Sequence, residues 1–454
     1  MLLRIERSLA GVIGWASRLL GRGGGTTLPG KVLWKAHPGA IDRLGRQLPE
    51  GAVLVSATNG KTTTAAMTAQ ILRTRVRLAH NGSGANLVSG VASALLAAPG
   101  AELGLFEVDE AALPEVARRL RPRAVLLGNL FRDQLDRYGE LEHVAERWRT
   151  ALADLPQTTL VANADDPLLA ELAQTHPGPV RTFGVDDPRH ARPSLQHAAD
   201  SKYCPSCGRP FVYRAAYVGH LGDYACPLGH LVRPALAVAA REIELDGLAG
   251  ARFLLDTPEG AVDVRLRLPG VYNVYNAAGA AALAGALGVP PGETAAGLDA
   301  FTAAFGRFER IAVDDRRVLM LLVKNPAGAN EAVRTLLEGA PPAVAVVALN
   351  DEIADGRDVS WIWDVDFEPL LASLDRVIVA GARAAELALR FAYGGLERSR
   401  IDVVPELEQA LDRGLAVTPA GGELVVLPTY TAMLALRRII ARRGYVADYW
   451  EAAA

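Results

Sequence analysis

From Ala52 onward, short β-branched runs alternate with Ala- and Leu-rich helical stretches, a rhythm that restricts the chain to a parallel sheet covered by helices. The first series places strands at residues 53–57, 103–108, 124–128, 159–162 and 180–183, all but the last followed by a helical stretch. Residues 201–233 interrupt it with Cys, Pro, Gly, Tyr and His, which marks a small insertion, and 241–268 alternate in the manner of antiparallel strands. Helices are expected over 277–287 and near 294–304. A second strand and helix series follows, with strands at 318–323, 343–349, 376–380, 401–404 and 424–427. The fold class is therefore α/β. At roughly 150 residues per domain, 454 residues suggest about three units. These are an N-terminal helical segment over 1–44, a central unit over 45–305 carrying the insertion, and a Rossmann-like C-terminal unit over 306–454.

In the N-terminal segment Leu2, Ile5, Leu9, Val12, Ala16 and Leu19 recur at helical spacing. The run is interrupted by Arg18 and is short of the roughly 20 apolar residues a spanning helix needs. An amphipathic helix that packs on the body or lies on a membrane surface is expected.

The strongest chemical signal follows the first strand. Val53-Leu54-Val55-Ser56-Ala57 leads into Thr58-Asn59-Gly60-Lys61-Thr62-Thr63 and a helix. A helix N-terminus offers unpaired N–H groups to phosphate oxygens, Gly60 lets the backbone approach, and Lys61 adds a point charge. Thr62 would ligate Mg²⁺. The strict phosphate-loop pattern asks for Gly where Val55 stands, so a capped turn before an ordinary helix is the alternative. Lys occurs only at 31, 35, 61, 202 and 324, which singles out Lys61. Glu107, at the end of a strand beside this loop, offers the hard oxygen that Mg²⁺ requires; its other reading is a helix-capping acid, a role that suits Asp109 and Glu110 better.

A net charge of −3 argues against a whole-protein grip on nucleic acid. The three Cys lie within 204–226, too few for a disulfide framework and suited to a metal in a reducing compartment, the cytoplasm. Cys204-Pro205-Ser206-Cys207, eighteen further residues, then Cys226 and His230 give the two ligand pairs of a zinc ribbon. A full tetrahedral set leaves no open position, so the site is structural. Gly229 stands where a fourth Cys is expected; His230 substitutes, with His220 as the alternative.

The loop from Thr58 to Thr63 resembles the ATP loop of the Mur ligase family, which joins amines to carboxylates of peptidoglycan precursors through acyl-phosphates. That resemblance implies a Mg²⁺-binding role for Glu107. Asn163-Ala164-Asp165-Asp166 and Tyr275-Asn276 are similar to the family's adenine and ribose contacts, and Gly306-Arg307-Phe308-Glu309 to its arginine near the phosphates. Asn163 and Asn276 also suit turns or caps, and Arg307 a surface position. The family's carbamylated lysine has no counterpart, because no Lys lies between Lys202 and Lys324; a second metal site is not expected.

Three further stretches narrow the resemblance. Lys324-Asn325-Pro326-Ala327-Gly328, Ala354-Asp355-Gly356-Arg357-Asp358-Val359-Ser360-Trp361-Ile362-Trp363-Asp364 and Pro428-Thr429-Tyr430-Thr431-Ala432-Met433 look like the MurT branch of the family, as does the zinc-ribbon insertion. The resemblance implies ATP-dependent amidation of the D-glutamate α-carboxylate of the lipid II stem, at the inner membrane face where that lipid-linked substrate lies. The cysteines are committed to metal, so ammonia must come from a second protein. The resemblance implies a GatD-like glutamine amidotransferase subunit, with Asp355, or failing it Asp358, orienting that partner's catalytic His. ATP, Mg²⁺ and a structural Zn²⁺ are the implied cofactors. A stand-alone Mur-type or folylpolyglutamate-like amino-acid ligase shares the same loop, and a zinc-ribbon scaffold with a vestigial nucleotide site is the non-enzymatic alternative.

Overall fold

The computed structural model describes residues 28–446 except 38, 83, 134–139, 197–198, 303–307 and 340. The amphipathic stretch expected over residues 2–19 lies outside the described residues.

In chain order the central strands are β1 (Ala52–Ser56), β2 (Leu78–His80), β3 (Leu103–Glu107), β4 (Ala124–Leu127), β5 (Thr159–Asn163), β6 (Val180–Val185), β7 (Val212–Val218), β8 (Leu221–Ala225), β9 (Val238–Asp246), β10 (Gly250–Thr257) and β11 (Gly260–Leu266). The C-terminal strands are β12 (Glu309–Val313), β13 (Arg316–Met320), β14 (Val344–Ala348), β15 (Arg376–Ala380), β16 (Ile401–Val403) and β17 (Glu423–Pro428). Among the described residues these form three sheets: β11-β10-β9-β6-β5-β4-β1-β3-β2, β12-β13-β17-β14-β15-β16, and the hairpin β7-β8.

The central sheet is parallel from β2 to β9 and antiparallel only across β9, β10 and β11. The antiparallel segment therefore extends the main sheet. Alternate side chains of β1 point to opposite faces. Val53 and Val55 pack with Met67 and Ile71 of helix Lys61–Leu72 and with helix Val271–Ala286. Leu54 packs on the other face with Phe106 and Trp148. Two apolar layers thus hold β1 centrally, and its C-terminal edge opens into the loop that precedes the helix. In an open parallel sheet that edge is where ligands bind.

Several expected boundaries shift. β2 and β12 were not expected: β2 is a three-residue edge strand following Arg73, Arg75 and Arg77, with no apolar run to mark it, and β12 turns back at Asp314, whose φ is 51°. The strand expected over 318–323 begins at Arg316 and ends at Met320, because Leu321 and Val323 continue only as single bonds toward β17. The helix expected from 277 starts at Val271, directly after Gly270. No helix among the described residues is long and apolar enough to cross a membrane.

Candidate functional site

Gly60 has φ 81°, and a Cβ built on it would stand 2.0 Å from Asn276 Oδ1. Both the backbone conformation and the space demand glycine. Helix Lys61–Leu72 then begins, its first-turn N–H groups facing the loop. Asn129 holds the loop shape: its Oδ1 accepts from Asn59 N–H at 2.9 Å and its Nδ2 donates to Asn59 O at 2.9 Å. Thr58 Oγ1 accepts from Phe131 N–H.

Lys61 is buried, and its Nζ donates to Ala57 O at 3.1 Å and to Glu110 Oε2 at 3.0 Å. Burial pulls the ammonium down, but Glu110, Glu107 and Asp109 outweigh it and raise its pKa, so Lys61 stays charged. Glu110 is buried too, yet the Lys61 and Lys324 charges hold its carboxyl below the usual range. Thr62 Oγ1 donates to Glu107 Oε1 at 2.9 Å, and Asn81 fixes that strand end by pairing with both the N–H and the carbonyl of Glu107. A hydroxyl and a carboxylate side by side beside a phosphate loop fit a Mg²⁺ ion.

One cleft is lined by Gly60, Thr63, Tyr275 and Asn276 together with Lys324 and Gly328 of the C-terminal unit. The two units meet at its mouth. Asn59 and Asn325 exchange amide hydrogen bonds of 3.2 and 3.0 Å, and Lys324 pairs with Asp133. Asn276 lines the cleft, accepting from Thr64 Oγ1 at 3.3 Å and donating to Asn273 Oδ1 at 3.0 Å. Asn163 is fully buried and spends its amide on Gly128 O and Asp165 N–H, the work of a turn residue. Arg307 lies outside the described residues.

Sequence reasoning gave Glu110 a capping role, whereas the structure turns it onto Lys61, while Asp109 accepts from Ala111 N–H. Asn129, Asn81 and the Asn59 to Asn325 bridge were also missed. Polar residues at strand ends were the available signal, but only tertiary placement gives each a partner.

Cys204, Cys207, Cys226 and His230 bring their ligand atoms within 4.8 Å of one another. Gly208 N–H donates to Cys204 O and Gly229 N–H to Cys226 O, closing two turns with φ of 67° and 75° at the glycines. The left-handed backbone at 229 explains why glycine stands there and the ligand moves to His230. Burial raises the Cys226 thiol, but N–H groups of Leu228 and His230 and the neighbouring thiols outweigh it, holding it at about 6. Three thiols and an imidazole in this arrangement fit zinc. His220 stands apart: fully buried, it packs on Phe131 at 4.7 Å with Nε2 3.3 Å from Asp166 Oδ2.

Asp355 is buried at the start of helix Tyr430–Arg442, where its carboxylate accepts from Thr431 N–H at 2.8 Å and from Thr431 Oγ1. Asp358 caps its own loop, accepting from Ser360 N–H at 2.8 Å, and the Ser360 hydroxyl together with that N–H lowers its pKa.

Residues 55–207 match the Mur ligase middle domain, and 322–433 match the MurT ligase C-terminal family. The chain is 32% identical over 430 residues to the lipid II isoglutaminyl synthase (glutamine-hydrolyzing) subunit MurT of Streptococcus pneumoniae, covering 93% of this chain and 94% of that relative. Its fold is similar to a pseudomurein peptide ligase type C from Methanothermus fervidus, with a TM-score of 0.70, 22% identity, and 88% and 80% of the two chains covered. It is also similar to MurF ligase from Thermotoga maritima in complex with ADP, with a TM-score of 0.62, 15% identity, and 94% and 85% covered.

Proposed function

The chain belongs to the MurT family of the Mur ligases, and from that premise we propose that it is the ATP-dependent ligase subunit of a lipid II isoglutaminyl synthase. The reaction converts the D-glutamate α-carboxylate of the stem peptide to an amide. The observation that carries this reading is the Thr62 to Glu107 contact beside the buried, charged Lys61.

A carboxylate is a poor electrophile. In the proposed sequence one of its oxygens attacks the γ-phosphorus of ATP, the bond to the bridging oxygen breaks and ADP leaves. Ammonia then attacks the acyl carbon, inorganic phosphate departs and the nitrogen loses a proton. Lys61 and the first-turn N–H groups stabilise the charge that moves among the phosphates. Mg²⁺, held by Thr62 and Glu107, would neutralise further phosphate charge.

Ammonia comes in this proposal from a GatD-like glutaminase subunit; the word subunit in the relative's name supports a partner. Asp355 orients the partner's catalytic His. Thr431 occupies two of the roughly four acceptor positions of its carboxylate and leaves capacity for an imidazole N–H. Zinc in the Cys and His cluster is structural. The chain acts in the cytoplasm, at the membrane face where its substrate lies.

The test compares nitrogen donors. Ammonium and lipid II alone should drive ADP release by the chain, and glutamine should do so only with the partner. Release that depends on an amino acid would instead indicate an amino-acid ligase.

A further inference from the structure

We propose that the outward face of the metal hairpin docks the chain on an anionic bilayer, with Tyr203, Val212, Leu228 and Val232 entering the lipid interface and Lys202 and Arg209 meeting lipid phosphates. This rests on the lipid II reading above and adds to it a surface, on residues 201–233, that neither the cleft nor the metal cluster uses.

Backbone pairing gathers these residues on one surface. Tyr203 bridges to Pro210, Val212 pairs with Ala225, and Ala225 bridges to Val232. Residues directly opposite each other in a sheet share a face, as do residues two apart along an extended chain, so Tyr203, Pro210, Val212, Ala225 and Val232 lie on one side. The alternate residues Phe211, Tyr224, Cys226 and Leu231 pack on the other side in a buried cluster with Cys204 and Ala170. An antiparallel hairpin with one covered face normally turns polar groups to water on the other. Here Tyr203 is 62% exposed, Val212 58% and Val232 42%, and Leu228, in the second knuckle, is 54% exposed. Four of the twelve large apolar side chains exposed among the described residues thus fall within 203–232, which makes this a patch and not scattered exposure.

Charge and size select the occupant. Residues 201–233 carry Lys202, Arg209, Arg214 and Arg233 against Asp223 alone, four cations to one carboxylate, in a chain whose total is −3. That carboxylate is engaged, because Arg214 holds Asp223 through two bonds of 2.8 Å. Arg233 turns inward to Asp165. Lys202 and Arg209 stand next to Tyr203 and Pro210 in the chain, at the rim of the apolar face. Cations beside a tyrosine and aliphatic side chains suit the headgroup zone of an anionic membrane, where each positive charge adds attraction and an aromatic ring sits at the polar boundary. Four half-exposed side chains offer a few hundred Å² of apolar surface, below the about 800 Å² per partner of a stable protein interface. Leu221, which lines the cleft, and Ala225, on the docking face, are four strand steps apart, about 14 Å. A lipid-linked substrate can reach the one while the chain rests on the other.

The experiment measures co-sedimentation of the full chain with vesicles of phosphatidylcholine plus phosphatidylglycerol, and of phosphatidylcholine alone, in the absence of substrate. Wild type should bind the anionic vesicles more tightly. The double substitution Val212→Ser and Val232→Ser should weaken that binding about tenfold, and Arg209→Gln about fivefold, with zinc content and melting temperature unchanged because these side chains face outward. Tyr203→Ser carries the same expectation should the double variant fail to fold. Wild type that ignores anionic vesicles, or variants that bind them undiminished, would overturn the inference. So would a double variant that loses a protein partner or self-association while its vesicle binding stays intact. Failure of the lipid II reading has a separate signature: vesicle binding as expected, but no ADP release with lipid II and ammonium.

Discussion

Lys61 Nζ lies 3.0 Å from Glu110 Oε2, and neither side chain exposes more than a tenth of its surface. The cation at the start of the helix after Gly60 is therefore held by a carboxylate from the loop after β3. Removing one member of such a pair strands the other, with a cost of about 3–5 kcal/mol.

Glu110→Gln should lower both stability and turnover. The Glu110 carboxyl sits below its ordinary 4.5 when folded, so its contribution is complete above pH 4.5 and fades as pH falls through the folded value. Lys61 sits above its ordinary 10.5, so its share persists until pH rises past that value. Thermal melts of wild type and Glu110→Gln should thus differ by a constant gap between about pH 5.5 and 9, narrowing below pH 4.5. A gap that widened in acid would refute the pairing.

Asn325→Ala removes both amide bonds that join the C-terminal unit to Asn59 of the loop. At about 1 kcal/mol each, the loss is about 2 kcal/mol, or roughly thirtyfold in kcat/KM for ATP. Steady-state ADP release at saturating lipid II measures it.

For the cysteine cluster, metal analysis should give one zinc per chain. His230→Ala should lower zinc affinity at least tenfold in chelator competition, whereas His220→Ala should keep the stoichiometry, since His220 stands outside the cluster. Loss of zinc in His220→Ala alone would reverse the assignment.

Asp355→Asn should spare ammonia-driven turnover and impair glutamine-driven turnover. Asp355→Ala should in addition destabilise helix Tyr430–Arg442 by about 1 kcal/mol, because the carboxylate accepts from Thr431 N–H in its first turn. Equal loss with both nitrogen sources would remove Asp355 from the partner's chemistry.

The features legible in the sequence share a cause: they are local. The β1 turn, the helix after Gly60 and the two cysteine knuckles depend on neighbours within a few residues, and their spacing is visible in the chain. Glu110 on Lys61 spans 49 positions and Asn59 on Asn325 spans 266. No periodicity links such residues. The strands β2 and β12 were hidden because edge pairing, not an apolar run, makes them strands. For Asn163 the sequence left a ligand contact and a turn role open, and its amide bonds to Gly128 O and to Asp165 N–H, as a turn residue's does.

ADP release by the purified chain with lipid II and ammonium, in wild type and Lys61→Ala, tests the central claim most directly. The account predicts lipid II-dependent ADP release matched one-to-one by amidated product, and none from Lys61→Ala. Wild-type ADP release that ignores lipid II or ammonium, or persists in Lys61→Ala, would contradict it.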